Sequence, residues 1–216
     1  MAVEVTLLQG DCLELIGTLD KSKIYAVITD PPYGIKTRTM NKTLGRSKLA
    51  ECNDFPPVAG DDVPFDPAPW LDYPVVVMFG ANNFADKLPS STCWLVWDKR
   101  EGITPNDQAD CELAWTNKRM PSRLYHHLWS GMIKASENTK RRLHPTQKPV
   151  SLMKWVLEHV GVKPGMTVLD PYMGSGSTGV ACVELGIDFI GMELEPQYFE
   201  IANTRITEAN IQMVMF

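Results

Sequence analysis

Several things are scarce or missing in this chain of 216 residues. No apolar run approaches the roughly 20 residues that cross a bilayer, which excludes a helical membrane span on sequence grounds. The first residues, MAVEVTLLQGDCLEL, carry acids where a secretion signal carries a basic leader, so no signal peptide is expected. Cysteine is sparse: Cys12, Cys52, Cys93, Cys111 and Cys182 are odd in number, scattered, and never spaced C-x-x-C. That pattern argues against a disulfide framework or a zinc site and fits a reducing cytosol. His126, His127 and His144 are not spaced as a metal site, and no metal is expected. There are no internal repeats and no low-complexity tracts.

Acids are nearly absent from one segment. From Asn117 to Lys148 the chain carries eight basic residues, Lys118, Arg119, Arg123, Lys134, Lys140, Arg141, Arg142 and Lys148, against Glu137 alone. The segment is therefore +7, and with a whole-chain charge of −5 the remainder carries −12. A solvated surface loop would explain this, and so would a patch for phosphates.

What is abundant is short apolar runs alternating with helical patterns, the mark of a βαβ sheet. VEVTLLQG ends at Gly10, IYAVIT leads into Asp30, PVVVMFG ends at Gly80, TCWLVWD at Asp98, MTVLD at Asp170 and IDFIGME at Glu193; YHHLWSG is a further candidate strand. Four of these seven end on a carboxylate. Ligands of open α/β sheets gather at the carboxyl ends of the strands, so acids there point to a site. Val150, Met153, Leu157 and Val160 have the spacing of one buried helix face, with Pro149 in the first turn. Tyr198 to Ala209 repeats the pattern. Segments 35–64 and 117–148 lack periodicity and are long for connections. The first is expected as a mobile loop and the second as a small basic insertion in a single domain spanning 1–216.

In VLDPYMGSGSTGVACVELG, Gly174, Gly176 and Gly179 have the spacing G-x-G-x-x-G between a strand and a helix. Such glycines permit a tight turn and close approach of a ligand, and the helix aims its N–H groups into the loop. Glu193, at the end of the next strand, can accept both hydroxyls of a ribose. The literal spacing matches a nicotinamide or flavin site. However, DPYM intervenes before the first glycine, and Asp170 would repel a pyrophosphate while attracting an ammonium. These features favour an amino acid attached to adenosine, S-adenosylmethionine. A packing corner would explain the glycines but leave Asp170 and Glu193 without roles.

Asp30-Pro31-Pro32-Tyr33 follows a strand. The exocyclic amine of adenine is a poor nucleophile because its lone pair is delocalised. Acceptors for its two hydrogens let the nitrogen pyramidalise toward a methyl donor. The Asp30 carboxylate can accept one and the Pro31 carbonyl the other, the prolines holding that carbonyl fixed. Tyr33 offers a face on which a flipped-out base can stack. A proline turn is the competing explanation.

Together these motifs strongly resemble the DNA amino-methyltransferase family, the adenine-N6 and cytosine-N4 enzymes, in the permuted motif order called the beta class. Asp30 to Tyr33 match the family's catalytic motif D/N/S-P-P-Y/F/W. DPYMGSGST, Asp170 to Thr178, matches D-P-F-x-G-S-G-T-T, with Tyr172 for Phe and Ser177 for the first Thr. HPTQKP, His144 to Pro149, is similar to the segment closing over the methionine end of the cofactor. GDCLEL is similar to the strand end that sets an acid, here Asp11, beside the adenine ring. CELAWT and LVWDK resemble framework segments. The resemblance implies a Rossmann-like α/β methyltransferase fold, a mostly parallel twisted sheet with helices on both faces.

By the same resemblance, Asp30, Pro31, Pro32 and Tyr33 are catalytic. The cofactor set is Asp11, Cys12, Asp30, Thr146, Gln147, Lys148, Asp170, Pro171, Tyr172, Gly174, Ser175, Gly176, Thr178 and Glu193. Lys148 is read as a partner for the cofactor carboxylate. Lys118, Arg119, Arg123, Lys134, Lys140, Arg141 and Arg142 fall where the family recognises its DNA target. The implied activity is methyl transfer from S-adenosylmethionine to adenine N6 of DNA, leaving S-adenosylhomocysteine, in the cytoplasm of a bacterial or phage-infected cell. Aspartate opening the tetrapeptide leans to adenine in this family and serine to cytosine. Cytosine N4, a catalytically silent DNA-binding protein of the same fold and a nicotinamide oxidoreductase are the alternatives. The short variable segment implies a short recognised site or a partner subunit, a homodimer being one form. Asp98 and Asp110 are assigned to capping or the surface, Trp129 to the core, and the cysteines to small buried apolar positions.

Overall fold

The computed structural model describes residues 3–35, 59–102, 109–130, 133–137 and 147–214. Most of segment 35–64, along with Cys52, Lys140, Arg141, Arg142, His144 and Thr146, lies outside the described residues.

Ten strands and four α-helices are described. In chain order they are β1 Val5–Gln9, α1 Cys12–Leu15, β2 Ile24–Thr29, β3 Val75–Phe79, β4 Trp94–Asp98, β5 Cys111–Thr116, β6 Arg123–His126, β7 Trp129–Ser130, β8 Ile133–Lys134, α2 Val150–His159, β9 Thr167–Asp170, α3 Ser177–Glu184, β10 Asp188–Glu193 and α4 Pro196–Val214. β7 and β8 form a two-stranded ribbon. The other eight strands form one sheet in the order β1-β10-β9-β2-β3-β5-β4-β6. Neighbours pair in parallel except around β5, which runs antiparallel to both β3 and β4. Seven strands therefore share one direction and β5 is reversed.

The central strands read as unbroken apolar runs because both of their faces are covered. Ala26, Val27 and Ile28 of β2 and every residue of β3 are buried. Ala26, Ile28, Val75, Val77 and Phe79 face α2, α3 and α4, whose stripes supply Leu152, Val156, Val183 and Ile206. Val27, Val76 and Met78 face the other way, onto Ile16, Trp70, Tyr73 and Phe84. On that second face the cover comes from α1 and from short turns between residues 65 and 87 rather than from long helices.

The sequence-expected strands are present. CELAWT, read only as a framework segment, is the reversed strand β5, and YHHLWSG, expected as one strand, is divided between the end of β6 and the whole of β7. Pro149 sits one residue before the helix, as its cap in extended conformation (ψ 140°), rather than inside the first turn. Cys12, Cys93 and Cys182 are buried as expected, whereas Cys111 is exposed at the start of β5.

Candidate active site

Parallel pairing brings the strand-end acids into a row. β1, β10, β9 and β2 are successive neighbours. Asp11 follows β1, Glu193 ends β10, Asp170 ends β9 and Asp30 follows β2. All four line one cavity of about 440 Å³ at the carboxyl edge of the sheet, together with the glycine loop and Pro31 to Tyr33.

Asp170 forms the floor. Its carboxylate accepts from Thr29 Oγ1 at 2.8 Å, Thr178 Oγ1 at 2.6 Å and the Tyr172 amide at 3.1 Å. Burial outweighs these bonds and pushes the carboxyl up to about 6. Glu193 braces the glycine loop, accepting from the Gly174 amide at 2.9 Å and the Glu195 amide at 2.8 Å. Gly179 is required by close approach: a Cβ there would lie 2.4 Å from Ile206 and 2.7 Å from Phe189. Asp11 is exposed and caps α1 through the Leu13 amide at 2.8 Å. Cys12 is buried beside it against Tyr172, whose ring meets Phe65 and Trp70 edge-on.

At the other end of the row, the Tyr33 hydroxyl donates to Asp30 Oδ1. Its ring occupies the space above Gly80, where a Cβ would stand 2.0 Å from Tyr33 Cε1; Gly80 also takes a left-handed φ of 65°. The loop after the tetrapeptide is anchored by Asp61, buried, whose Oδ1 accepts from the amides of Tyr33 (3.1 Å), Gly34 (2.9 Å) and Ile35 (3.3 Å). Lys148 is buried and ion-paired to Asp30 Oδ2 at 2.5 Å and Glu112 Oε2 at 3.1 Å; Lys99 holds Glu112 Oε1 at 3.0 Å.

Behind the glycine loop, Arg205 of α4 donates to the Ser175 carbonyl at 2.5 Å and pairs with Glu137 Oε2 at 3.2 Å. Glu137 also accepts from Gln147 Nε2 at 3.1 Å and from the Val150 amide at 2.6 Å, capping α2.

The basic residues expected to meet DNA are separated by the structure. Lys118 and Arg119 lie in the turn after the reversed strand β5, and Arg123 starts β6 beside Leu95. These positions are at the amino edge of the sheet, a strand's length from the cavity, about 17 Å for five residues. Lys134 is at the carboxyl edge, 4.2 Å from the Trp129 ring centre. The expected single patch is thus split between two edges. Asp98 takes the capping role expected of it, accepting the Arg100 and Glu101 amides, and Asp110 pairs with Arg100 on the surface.

Sequence reasoning missed Glu112, Asp61, Gly80, Arg205 and the docking role of Glu137. Glu112 reaches the site only because β5 is reversed, which puts its amino end beside the carboxyl ends of the others. Gly80 carried a signal, a glycine ending a strand beside the one that leads into Asp30.

The cavity's donors and acceptors suit S-adenosylmethionine. Gln147 lines it with Oε1 buried and lacking a hydrogen-bond partner among the described residues, an acceptor for an ammonium. Glu193 offers a carboxylate for ribose hydroxyls, and Asp11 offers one for the adenine end. Among the described lining residues the basic one is Lys148, and it is shared by Asp30 and Glu112 rather than held ready for the cofactor carboxylate expected from the sequence; none of the described lining residues offers a further base to a pyrophosphate.

Fold and site together define an S-adenosylmethionine-dependent methyltransferase fold, and solved structures agree. M1.HpyAVI in complex with SAM superposes with a TM-score of 0.57 at 24% identity, covering 94% of this chain and 98% of that one. The cytosine-N4-specific PvuII DNA methyltransferase gives 0.60 at 15% identity, covering 100% and 94%. A family model for N6/N4 DNA methylases matches residues 99–204. Among curated proteins, the type II methyltransferase M.HinfI of Haemophilus influenzae is 24% identical over 94% of this chain and 68% of its own length. The putative methylase YubD of Escherichia coli (strain K12) is 27% identical over 96% and 92%. The chain is thus similar to the N6/N4 DNA methyltransferases in fold along its length and in sequence over residues 99–204.

Proposed function

We propose that the protein transfers a methyl group to the exocyclic N6 of an adenine flipped out of DNA. The observation that carries this reading is the Asp30 carboxylate at the end of β2, fixed beside the Pro31 carbonyl at the cavity wall. Bound S-adenosylmethionine supplies an electrophilic methyl on a sulfonium. The chain's part is alignment and electrostatics. Asp30 and the Pro31 carbonyl accept hydrogen bonds from the two amine hydrogens, so that the nitrogen's lone pair can turn toward the methyl, and the alkylated nitrogen then sheds one proton to the Asp30 carboxylate. Asp61 holds the tetrapeptide's exit and Gly80 makes room for Tyr33, the platform for the base. Glu193 and Asp11 hold ribose and adenine, Gln147 the methionine ammonium, and Asp170 the loop between them. The acid at the head of the tetrapeptide favours adenine over cytosine.

Incubation with DNA and cofactor, followed by mass spectrometry of the nucleosides, tests this. N6-methyladenine is expected, and N4-methylcytosine alone would refute the choice of base. Asp30→Ala should lower transfer by about a thousandfold or more while leaving cofactor affinity nearly unchanged. Loss of cofactor binding as severe as that from Gly174→Val would contradict the division of roles.

A further inference from the structure

In the free protein Asp30 is already satisfied. Oδ1 accepts from the Tyr33 hydroxyl, and Oδ2 lies 2.5 Å from the Lys148 ammonium. An ammonium on Oδ2 offers the same kind of N–H donor that an exocyclic amine would offer there. A carboxylate oxygen has room for two donors, but one already neutralised by an ammonium at 2.5 Å is a poor acceptor for a neutral amine, so a target amine gains most on Oδ2 when Lys148 moves off it. A buried ammonium displaced without a partner would be very costly. A partner is in place: Glu112 Oε2 lies 3.1 Å from Nζ.

We propose that Lys148 holds the place of the target amine on Asp30 and that Glu112 receives the ammonium when the base enters. This rests on the reading of Asp30 as acceptor for the amine. Glu112 acts through Lys148 and is a positioning residue.

The surroundings fit the role. Register across β4 and β5 sets Glu112 opposite Trp97, and Lys99 holds its Oε1. Oε2 is thereby the oxygen turned toward Lys148. The handover needs only a swing of the end of the lysine side chain, whose ammonium sits 4.9 Å over the Phe79 ring. Asp30, Glu112, Lys99 and Lys148 are two acids and two bases, so a neutral base enters without changing the net charge. Tyr33, Asp61 and Asp170 are the other titratable groups facing this corner. Burial pushes the Asp30 carboxyl up, Lys148 pulls it down and Glu112 pushes it up. Burial also pushes Glu112 up, yet Lys148 and Lys99 overcome this and hold it at about 2. The receiving carboxylate is therefore ionised throughout the working pH range.

The Asp30 carboxyl can be read directly by carbon NMR of the labelled protein without cofactor or DNA, beside the kinetics of methyl transfer. Glu112→Gln removes the acid that pushes Asp30 up and leaves Lys148 to Asp30 alone. Asp30 should then titrate at lower pH than in the wild type. The kcat/KM for DNA should fall about tenfold, the order of one charge-assisted hydrogen bond, with cofactor Kd within about twofold. Glu112→Asp should return the titration toward wild type, a rescue that a simple packing defect would not show. Lys148→Met should raise the Asp30 titration. An Asp30 titration unmoved or raised by Glu112→Gln, a wild-type kcat/KM for DNA in that variant, or no rise in Lys148→Met would each overturn the proposal. The shifted titration with N4-methylcytosine as product would sink the adenine reading and leave the handover standing. N6-methyladenine with an unmoved titration would do the reverse.

Discussion

At the scale of the residue, Asp170 is an acid sealed under two threonines and an amide, 3% exposed. Its hydrogen bonds favour the charge and its burial opposes it more strongly, leaving the carboxyl near 6 against an ordinary 3.8. The folded protein thus keeps this proton to higher pH than the unfolded chain does. The stability it confers is fully present below 3.8 and is lost as pH rises through about 6, a change of about 3 kcal/mol. Asp170→Asn removes the charge and keeps one acceptor. Urea unfolding across that window should show the wild-type decline flattened in the variant, with a gain at neutral pH of about 2 kcal/mol. An unchanged slope would assign the decline to another group. The acid in DPYM is legible in the sequence. Its enclosure by Thr29, 141 positions away, is not, because parallel pairing of β2 and β9 alone makes that contact.

At the scale of the element, Glu137 ties residues 133–137 to the glycine loop and to the start of α2. Glu137, alone among eight basic residues in the sequence count, has a left-handed φ of 52°. A non-glycine residue persists there only where its surroundings over-determine it. Its contacts with Arg205, Gln147 and the Val150 amide do so, linking α4, the glycine loop and the start of α2. Glu137→Gln should lower unfolding stability by about 2 kcal/mol, because Arg205 is left partly buried without its counter-ion. An effect below about 0.5 kcal/mol, typical of exposed pairs, would show the link to be ornamental. The bases around Glu137 dominate the sequence there, whereas the contacts of residues 133–137 with the glycine loop and α2 depend on the acid.

At the scale of the whole molecule, strand order divides the bases expected to meet DNA between the two edges of the sheet. Asp11, Asp30, Asp170 and Glu193 line the cavity at the carboxyl edge, Lys134 is at that edge, and Lys118, Arg119 and Arg123 are at the amino edge. If DNA enters over the cavity, Lys134→Ala should reduce the slope of log affinity against log salt by about 0.9, while Arg119→Ala should leave it nearly unchanged. Fluorescence anisotropy over a salt series measures both, and equal effects would mean that the duplex wraps the amino edge as well.

The sequence by itself determined the α/β class, the carboxylates at strand ends, the Asp-Pro-Pro-Tyr tetrapeptide and the glycine loop. These are legible because each depends on contiguous residues: apolar runs of strand length, prolines with fixed angles, glycines at fixed spacing. Tertiary structure alone decided which charges meet. The reversal of β5 delivers Glu112 to Lys148, the order of the strands sets Asp30 and Asp170 side by side, and the turn after β5 carries Arg119 out of reach. Charge pairing acts over a few ångströms, and strand order brings within that range residues that chain order keeps far apart.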